Sequence, residues 1–406
     1  MQGTSYLYIG LGVAVVGGLI AAGVYFLFSF PEVVPAPSTD ALGSGSNRST
    51  VTPTTPTSDG ENQPVGVPAT QKAVFNVANG PIVSAAVIQT LRPTTTVARY
   101  VQQNNGHVFD LMLDSAGAVP KSVSNITIPG IFRALWAKGG AAALLQYLDA
   151  GVIKSVYLGF PTNISSTSTQ PVAIKFLPDG ILDMAVSPNG ASVAYLLKTT
   201  SGVAGYVATA DGTGGKQLFT LHLSEILMSW PSPNTLLLYS KTAAGLPGIA
   251  FSVSVTSGAV VSLLYAPELT LTADETFSYL VYRTGAGETY AREVESGLGT
   301  SLSYDPYPEK CRWGSATTTL YCAAPAEYVP ADYLDLWHLG LASVADALYK
   351  YDLTTGIGTT LAIPGGAEGG VPSAIDTLTI SADGRYLLFV KRGDRSLWGV
   401  RLGSTP

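Results

Sequence analysis

The segment AVSPNGASVAYLL, residues 185–197, decides the fold. In this segment an apolar strand ends at Val186, the turn SPNG occupies residues 187–190, and a second apolar strand carries Tyr195. Proline presets φ for a tight turn, and asparagine and glycine tolerate the positive φ values that such turns need. The segment therefore predicts two neighbouring antiparallel strands that are joined by a short turn.

This strand–turn–strand unit recurs along the chain. The first strands end at Trp136, Val186, Trp230, Leu271, Trp313 and Ile380, and the aromatic residues of the second strands are Tyr147, Tyr195, Tyr239, Tyr279, Tyr321 and Phe389. A weaker copy, with Tyr100 as its aromatic residue, precedes them. A period of roughly 40 to 50 residues with about four short strands per unit is typical of a β-propeller. We therefore expect an all-β protein, a propeller of seven four-stranded blades, although six or eight blades would also fit the spacing.

The two ends of the repeat region complement each other. The last unit has strands near Ile375–Ile380, Tyr386–Lys391 and Leu397–Leu402, after which too few residues remain for a fourth strand. A separate strand pattern, Lys72–Val77, precedes the first unit. Pairing this strand with the last unit would close the ring and cover an exposed sheet edge. The sequence therefore predicts a propeller over residues 73–406 that is closed by its N-terminal strand.

The N-terminal region has a different composition. After a short N-terminus at residues 1–5, residues 6–30 contain no charged side chain. A helix of that length would cross a hydrocarbon core of about 30 Å, so we predict one transmembrane helix. A cleaved signal peptide fits less well, because no Lys or Arg precedes the run. We expect the propeller on the extracytoplasmic side of the cell membrane.

Small residues recur every fourth position in this predicted helix, at Gly10, Ala14, Gly18 and Ala22. Such a face would allow close packing of two helices and a homodimer, although Gly and Ala are also common in membrane helices. Residues 31–72 follow, and 23 of these 42 residues are Pro, Ser, Thr or Gly. Because such a composition cannot bury a core, we predict a disordered linker.

Composition and motifs exclude several functions. The chain has 22 Lys and Arg against 28 Asp and Glu, which argues against nucleic-acid binding. Its three His and two Cys form no metal-binding motif, and no nucleophile elbow or phosphate-binding loop occurs. We therefore predict no catalytic residues, no metal and no cofactor.

Cys311 and Cys322 flank the segment GSATT, residues 314–318. A two-residue turn at Ala316 and Thr317 would place the two cysteines directly opposite each other on paired strands, where a disulfide is geometrically reasonable. Two buried free thiols are the alternative, and an exported location favours the disulfide.

One segment departs from the repeat. Between Tyr321 and the strand that contains Leu348, this unit has about sixteen residues more than the others. The extra stretch, residues 325–346, is called the insertion below. We predict that it forms a binding surface together with the preceding link between blades, since aromatic and acidic residues on a rigid platform suit recognition. The candidate binding residues are Tyr328, Asp332, Tyr333, Asp335, Trp337 and His338 in the insertion, and Asp305 and Tyr307 in the link. The alternative is an insertion that packs over its own blade and buries Trp337.

Some segments resemble known families. The turns SPNG and SADG (residues 381–384) resemble those of TolB-type and WD-like propellers. The segments RYV (99–101), NGH (105–107), SNITIP (124–129) and LYCA (320–323) resemble a family of single-pass, membrane-anchored propeller proteins from small-genome bacteria. This resemblance covers residues 73–406. It implies a fold and a membrane tether, and it implies no activity because that family has none to carry over.

The sequence thus favours a membrane-tethered propeller that binds an envelope protein, a peptide or a glycan, or that scaffolds an envelope complex. The alternative is an enzyme or catalytic accessory whose site is assembled from several blades. A third hypothesis is a structural spacer at the cell surface.

Overall fold

The computed structural model of the protein describes residues 74–91, 94–124, 126–161, 172–363 and 373–403. The predicted transmembrane helix, the predicted linker and the four small residues of the predicted dimer face lie outside the described residues. Within the described ranges no helix has the length and hydropathy needed to cross a membrane.

The described residues form seven four-stranded antiparallel sheets, which are the blades of a propeller. Blade 1 consists of β2 (Ile82–Leu91), β3 (Thr94–Gln102), β4 (Val108–Met112) and β5 (Lys121–Ser124). Blade 2 consists of β6 (Ile131–Trp136), β7 (Ala142–Asp149), β8 (Val152–Gly159) and β9 (Ala173–Phe176). Blade 3 consists of β10 (Ile181–Val186), β11 (Ser192–Thr199), β12 (Gly202–Thr209) and β13 (Lys216–Leu221). Blades 4 and 5 consist of β14 (Ile226–Ser232), β15 (Thr235–Ser240), β16 (Pro247–Ser254) and β17 (Val260–Pro267), and of β18 (Thr270–Ala273), β19 (Tyr279–Arg283), β20 (Thr289–Glu293) and β21 (Gly299–Ser301).

Blade 6 consists of β22 (Cys311–Trp313), β23 (Thr319–Pro325), β24 (Asp346–Asp352) and β25 (Ile357–Ala362). Blade 7 combines β26 (Ile375–Ile380), β27 (Tyr386–Lys391) and β28 (Leu397–Arg401) with the N-terminal strand β1 (Val74–Ala78). In this blade β1 pairs antiparallel with β28, and Val74 lies opposite Val400. The prediction of seven blades and of closure by the N-terminal strand is therefore confirmed.

The hydrophobic core lies between neighbouring blades. Leu196 of blade 3 and Leu238 of blade 4, for example, belong to one buried cluster, and Trp230 packs in it. A buried polar contact also crosses blades, because the Asp183 carboxylate pairs with Arg133 of blade 2 and accepts a hydrogen bond of 2.6 Å from the Met228 backbone N–H of blade 4. The apolar strand faces that recur in the sequence are thus used to join one blade to the next.

Strand direction decides which loops share a face of the propeller. Because strands in a blade alternate in direction, the loop between the second and third strands lies on the same face as the links between blades, which we call the link face. In blade 3 this loop is a two-residue turn, since Thr199 and Gly202 are paired. In blade 6 the loop is the insertion, which runs from the end of β23 to the start of β24.

Candidate functional site

The insertion contains a short α-helix, α1 (Tyr333–His338). Gly340 follows two residues after its end, and its φ of 77° is the left-handed conformation that glycine adopts after a helix C-terminus. The backbone N–H of Leu341 bonds to the carbonyl of Leu336 at 2.8 Å, and the N–H of Gly340 bonds to the carbonyl of Trp337 at 3.0 Å. These two bonds form the Schellman motif, so the local sequence explains where the helix stops.

One face of α1 is buried on blade 6. Tyr333 is 0% exposed and Trp337 is 8% exposed, and both pack in a cluster with Leu334 and with Tyr307 of the preceding link. The ring centroids of Tyr307 and Tyr333 are 5.4 Å apart. The insertion and the link therefore meet as predicted. The prediction that Tyr333, Trp337 and Tyr307 offer an aromatic contact surface is wrong for Tyr333 and Trp337, because their rings form the core beneath the helix.

A buried ion pair lies under this core. The Lys310 ammonium donates to both carboxylate oxygens of Asp346, at 2.7 and 2.6 Å, and the two side chains are 1% and 0% exposed. The Asp346 carboxylate also accepts the backbone N–H of Ile375 in blade 7 at 2.6 Å. Burial lowers the pKa of Lys310 and raises the pKa of Asp346, and the charge of each partner opposes the shift of the other. The Lys310 ammonium also lies 5.5 Å from the centroid of the Trp337 ring.

A second cation fixes the outer side of Trp337. Arg392 of blade 7 stacks on the Trp337 ring, 4.4 Å from its centroid, and donates a hydrogen bond to the Trp337 carbonyl oxygen. Two cations, Lys310 from the link before blade 6 and Arg392 from blade 7, thus both lie near the ring. The insertion is a packed structural element that joins blades 6 and 7.

A disulfide joins Cys311 and Cys322 in blade 6. They lie directly opposite each other in the β22–β23 pair, which is the register that the turn at Ala316 and Thr317 predicts.

Of three other predicted binding residues, two have local partners and one is exposed. His338 Nε2 lies 3.1 Å from a carboxylate oxygen of Glu309. The Asp305 carboxylate accepts the backbone N–H of Thr289 at 3.0 Å, which ties the link to blade 5. Asp332 is exposed just before α1. None of His338, Asp305 and Asp332 lines the cleft described next.

The insertion reaches across blade 5 to blade 4. The Asp335 carboxylate accepts the backbone N–H of Ala244 at 2.9 Å, in the loop between β15 and β16. Glu268, in the link between blades 4 and 5, accepts the next N–H, that of Gly245, at 2.6 Å. Two carboxylates therefore hold one loop, and each binds it through a single oxygen.

A cleft of about 340 Å³ lies between these elements on the link face. Its lining comes from blade 4, blade 5 and the insertion: Thr242, Ala244, Glu268, Thr270, Arg283, Thr284, Gly285, Ala286, Gly287, Tyr307, Tyr328, Val329, Pro330, Ala331, Leu334 and Asp335. Tyr328 is 94% exposed, so its ring is free to contact a ligand at the edge of the cleft. This volume is at the lower end of the range for small-ligand pockets, about 300–1,000 Å³.

The cleft wall that blade 5 provides carries a positive charge. The Arg283 guanidinium carbon lies 4.5 Å from the centroid of the Tyr307 ring. Arg283 Nη1 donates to the backbone oxygen of Asp305 at 2.9 Å and to Thr289 Oγ1 at 3.3 Å. Burial raises the pKa of the Tyr307 hydroxyl, and the Arg283 charge opposes that rise. At the cleft, the Tyr307 ring thus packs against the Arg283 guanidinium and holds it in place.

Of the predicted binding residues, the structure places Tyr328, Asp335 and Tyr307 on the cleft. Glu268, Thr270 and Arg283 were not among the predicted binding residues. The loops at residues 241–246 and 284–288 also join second and third strands, so strand alternation places them on the link face beside the insertion. This signal points to blades 4 and 5 as further parts of the site.

The chemistry of the cleft is that of charge pairing and hydrogen bonding. Within the described ranges no group of three or more His, Cys, Asp or Glu side chains could hold a metal ion. Two carboxylates, one guanidinium and the exposed Tyr328 ring can recognise a ligand by charge, by N–H donors and by stacking.

Comparisons with known proteins bear on the fold alone. No protein-family model matches the chain, and no curated protein matches it. Among solved structures it is similar to TolB from Acinetobacter baumannii, with 11% identity and a TM-score of 0.42 over 79% of this chain and 63% of the TolB chain. It is also similar to a chain of the Mitotic Checkpoint Complex, with 10% identity and a TM-score of 0.49 over 86% of this chain and 99% of that chain. The chain thus spans 63% of the length of the TolB chain. It is a seven-bladed β-propeller, and the resemblance to membrane-anchored propellers stays a prediction.

Proposed function

We propose that this protein is a membrane-tethered, extracytoplasmic binding module that recognises a protein, peptide or glycan through the cleft on the link face. The observation that carries the proposal is the cleft itself, because the insertion crosses blade 5 to form it and contacts blade 4 there. A propeller is compatible with a scaffold role in protein binding. Recognition sites are commonly formed by loops that a rigid scaffold holds in place.

The core beneath the insertion supports this proposal. A segment that buries Tyr333, Trp337 and an ion pair keeps one conformation, so the cleft is preformed. A preformed site binds with a smaller loss of conformational entropy than a mobile loop does. The exposed Tyr328 then offers a large contact area at low entropic cost.

The membrane tether rests on the uncharged run at residues 6–30. Its test compares the full chain with residues 31–406 in membrane sedimentation after a salt wash. We expect the full chain to sediment and the shorter chain to remain in solution. Sedimentation of the shorter chain would contradict a single N-terminal anchor.

The binding function is tested by capture from an envelope extract with the tagged full chain, followed by mass spectrometry for proteins and glycans. The variant is Tyr328→Ala, and the control is Tyr265→Ala, which removes a 70%-exposed tyrosine from outer strand β17 of blade 4. We expect a captured species that is lost with Tyr328→Ala and retained with Tyr265→Ala. Equal capture by all three proteins would contradict recognition at the cleft.

An enzyme with a site assembled from several blades remains the alternative hypothesis. A carboxyl with a raised pKa that faces the cleft would favour that alternative. Asp346 has a raised pKa, but its oxygens bond to Lys310 and to the Ile375 N–H beneath the insertion. We therefore favour binding over catalysis.

A further inference from the structure

We infer that the cleft binds the C-terminal end of a peptide whose last residue is lysine or arginine. The inference rests on the proposed function and names the ligand class of the same cleft. It depends on a guanidinium that has no carboxylate partner and a hydroxyl that has no hydrogen-bond partner among the described residues, and on two carboxylates in the same cleft.

The first observation concerns the ion pairs and hydrogen bonds of Arg283. Five arginines in the described ranges pair with carboxylates: Arg99, Arg133, Arg385, Arg392 and Arg395. Arg283 makes no such pair with a described residue. Its Nη1 donates to the Asp305 backbone oxygen and to Thr289 Oγ1, and its charge and hydrogen bonding also act on the Tyr307 hydroxyl, so its polar contacts are all with uncharged groups. A guanidinium in this state favours a carboxylate, which it binds through two parallel hydrogen bonds.

The second observation is Thr270, which lines the same cleft. Thr270 is 1% exposed, and its Oγ1 has no hydrogen-bond partner among the described residues. A buried polar group without a partner is costly, which suggests that a ligand satisfies it. Thr270 lies directly opposite Arg283 in the β18–β19 pair, and opposite residues project from the same side of a sheet. The two side chains thus start from the same face of blade 5 and both line the cleft, where one carboxylate could meet the hydroxyl and the guanidinium.

The third observation is the negative charge in the rest of the lining. Glu268 and Asp335 each use one carboxylate oxygen to hold the loop at Ala244 and Gly245, which leaves the other oxygen for a ligand. These carboxylates would repel a ligand with negative charge alone, and Arg283 would repel a ligand with positive charge alone. A ligand that carries both charges avoids both penalties.

Cleft size and edge chemistry favour a peptide end over a neutral glycan. A volume of about 340 Å³ holds a terminal residue and part of the preceding one. The exposed Tyr328 lies where the rest of a peptide would leave the cleft. A neutral sugar would leave the charges of Arg283, Glu268 and Asp335 without counter-charges, so it is the alternative outcome of the test.

The experiment uses calorimetry on the full chain with four probes. The first is acetyl-Ala-Ala-Lys with a free C-terminus. The second is its C-terminal amide, which lacks the carboxylate. The third is acetyl-Ala-Ala-norleucine with a free C-terminus, which lacks the cation. The fourth is triacetylchitotriose, a neutral glycan. We expect the first to bind and the second and third to bind at least about tenfold more weakly.

Variants assign each charge to its residue. Arg283→Gln should weaken the first probe at least about tenfold and abolish the difference between acid and amide. Arg292→Gln is the matched control, because Arg292 is half-buried on β20 of the same blade, has no ion pair among the described residues and does not line the cleft. Thr270→Val should weaken binding without lowering the melting temperature, since it removes a hydroxyl that has no partner in the free protein.

Three results would overturn the inference. They are equal binding of acid and amide, an unchanged affinity with Arg283→Gln, and the absence of binding by the first probe. If triacetylchitotriose binds instead and Tyr328→Ala abolishes that binding, the peptide inference fails and the cleft keeps its proposed function. Loss of folding with Thr270→Val would assign that hydroxyl a structural role and remove it from the site.

Discussion

Blades 3 and 6 are built on the same strand order, yet they use the same loop position very differently. Blade 3 joins its second and third strands with a two-residue turn between Thr199 and Gly202. Blade 6 joins them with the insertion, which has its own helix, its own aromatic core and the buried pair Lys310–Asp346. A two-residue turn keeps its conformation with local hydrogen bonds alone, whereas a long loop must bury side chains in order to keep one conformation.

This difference explains why the candidate site lies beside blade 6. The turn of blade 3 offers little area for contact. The insertion is long enough to cross blade 5, and its core fixes Asp335 and Tyr328 at the cleft. The interior residues of the insertion should therefore control stability, and its exposed residues should control binding.

The largest loss of stability is expected from breaking the buried ion pair between Lys310 and Asp346. Lys310→Met leaves the Asp346 carboxylate buried without its partner and should lower the free energy of unfolding by about 3–5 kcal/mol. Urea unfolding measures this. The double change Lys310→Met with Asp346→Leu should recover much of the loss, because it removes both charges. A single variant as stable as the parent would mean that the pair does not support the insertion.

The next largest loss of stability is expected for Trp337, whose ring lies near Lys310 and Arg392. Trp337→Ala should cost about 3 kcal/mol, since it removes a large ring that is 8% exposed. The comparison in blade 3 is Ser201→Ala at the tip of the short turn, for which a change below about 0.5 kcal/mol is expected. Similar small losses for both variants in urea melts would show that the insertion does not depend on its core.

A smaller effect is expected for the disulfide, which blade 6 has and blade 3 lacks because its sequence contains no cysteine. The variant with both Cys311→Ser and Cys322→Ser should lose about 2–3 kcal/mol, because the loop between the cysteines is no longer closed in the unfolded chain. Thermal unfolding with and without a reducing agent provides the measurement. The reducing agent should destabilise the parent and leave the double variant unchanged.

The smallest stability effect belongs to the exposed edge of the insertion. Tyr328→Ala should change the free energy of unfolding by less than about 0.5 kcal/mol, because the side chain is 94% exposed. The same variant should nevertheless lose ligand capture. A loss of stability comparable to that of Trp337→Ala would assign Tyr328 to the core and remove it from the proposed site.

The sequence by itself determined the blade architecture. Turns such as SPNG and the alternating apolar strands are local signals, and their recurrence predicted seven blades and closure by β1 against β28. The register that places Cys311 opposite Cys322 followed from a two-residue turn. The turns and the Cys311–Cys322 register depend on neighbours in the chain, and closure followed from counting strands, because the last unit lacked a fourth strand and an unpaired strand preceded the first unit.

The tertiary structure alone decided which aromatic residues of the insertion are core and which are surface. Tyr328, Tyr333 and Trp337 look alike in the sequence, yet Tyr328 is exposed while α1 turns the other two onto Tyr307. Likewise, nothing local relates Asp335 of the insertion to Ala244 of blade 4. Burial and the meeting of distant loops depend on the closed ring, because the ring fixes which blades lie side by side and how far the insertion reaches.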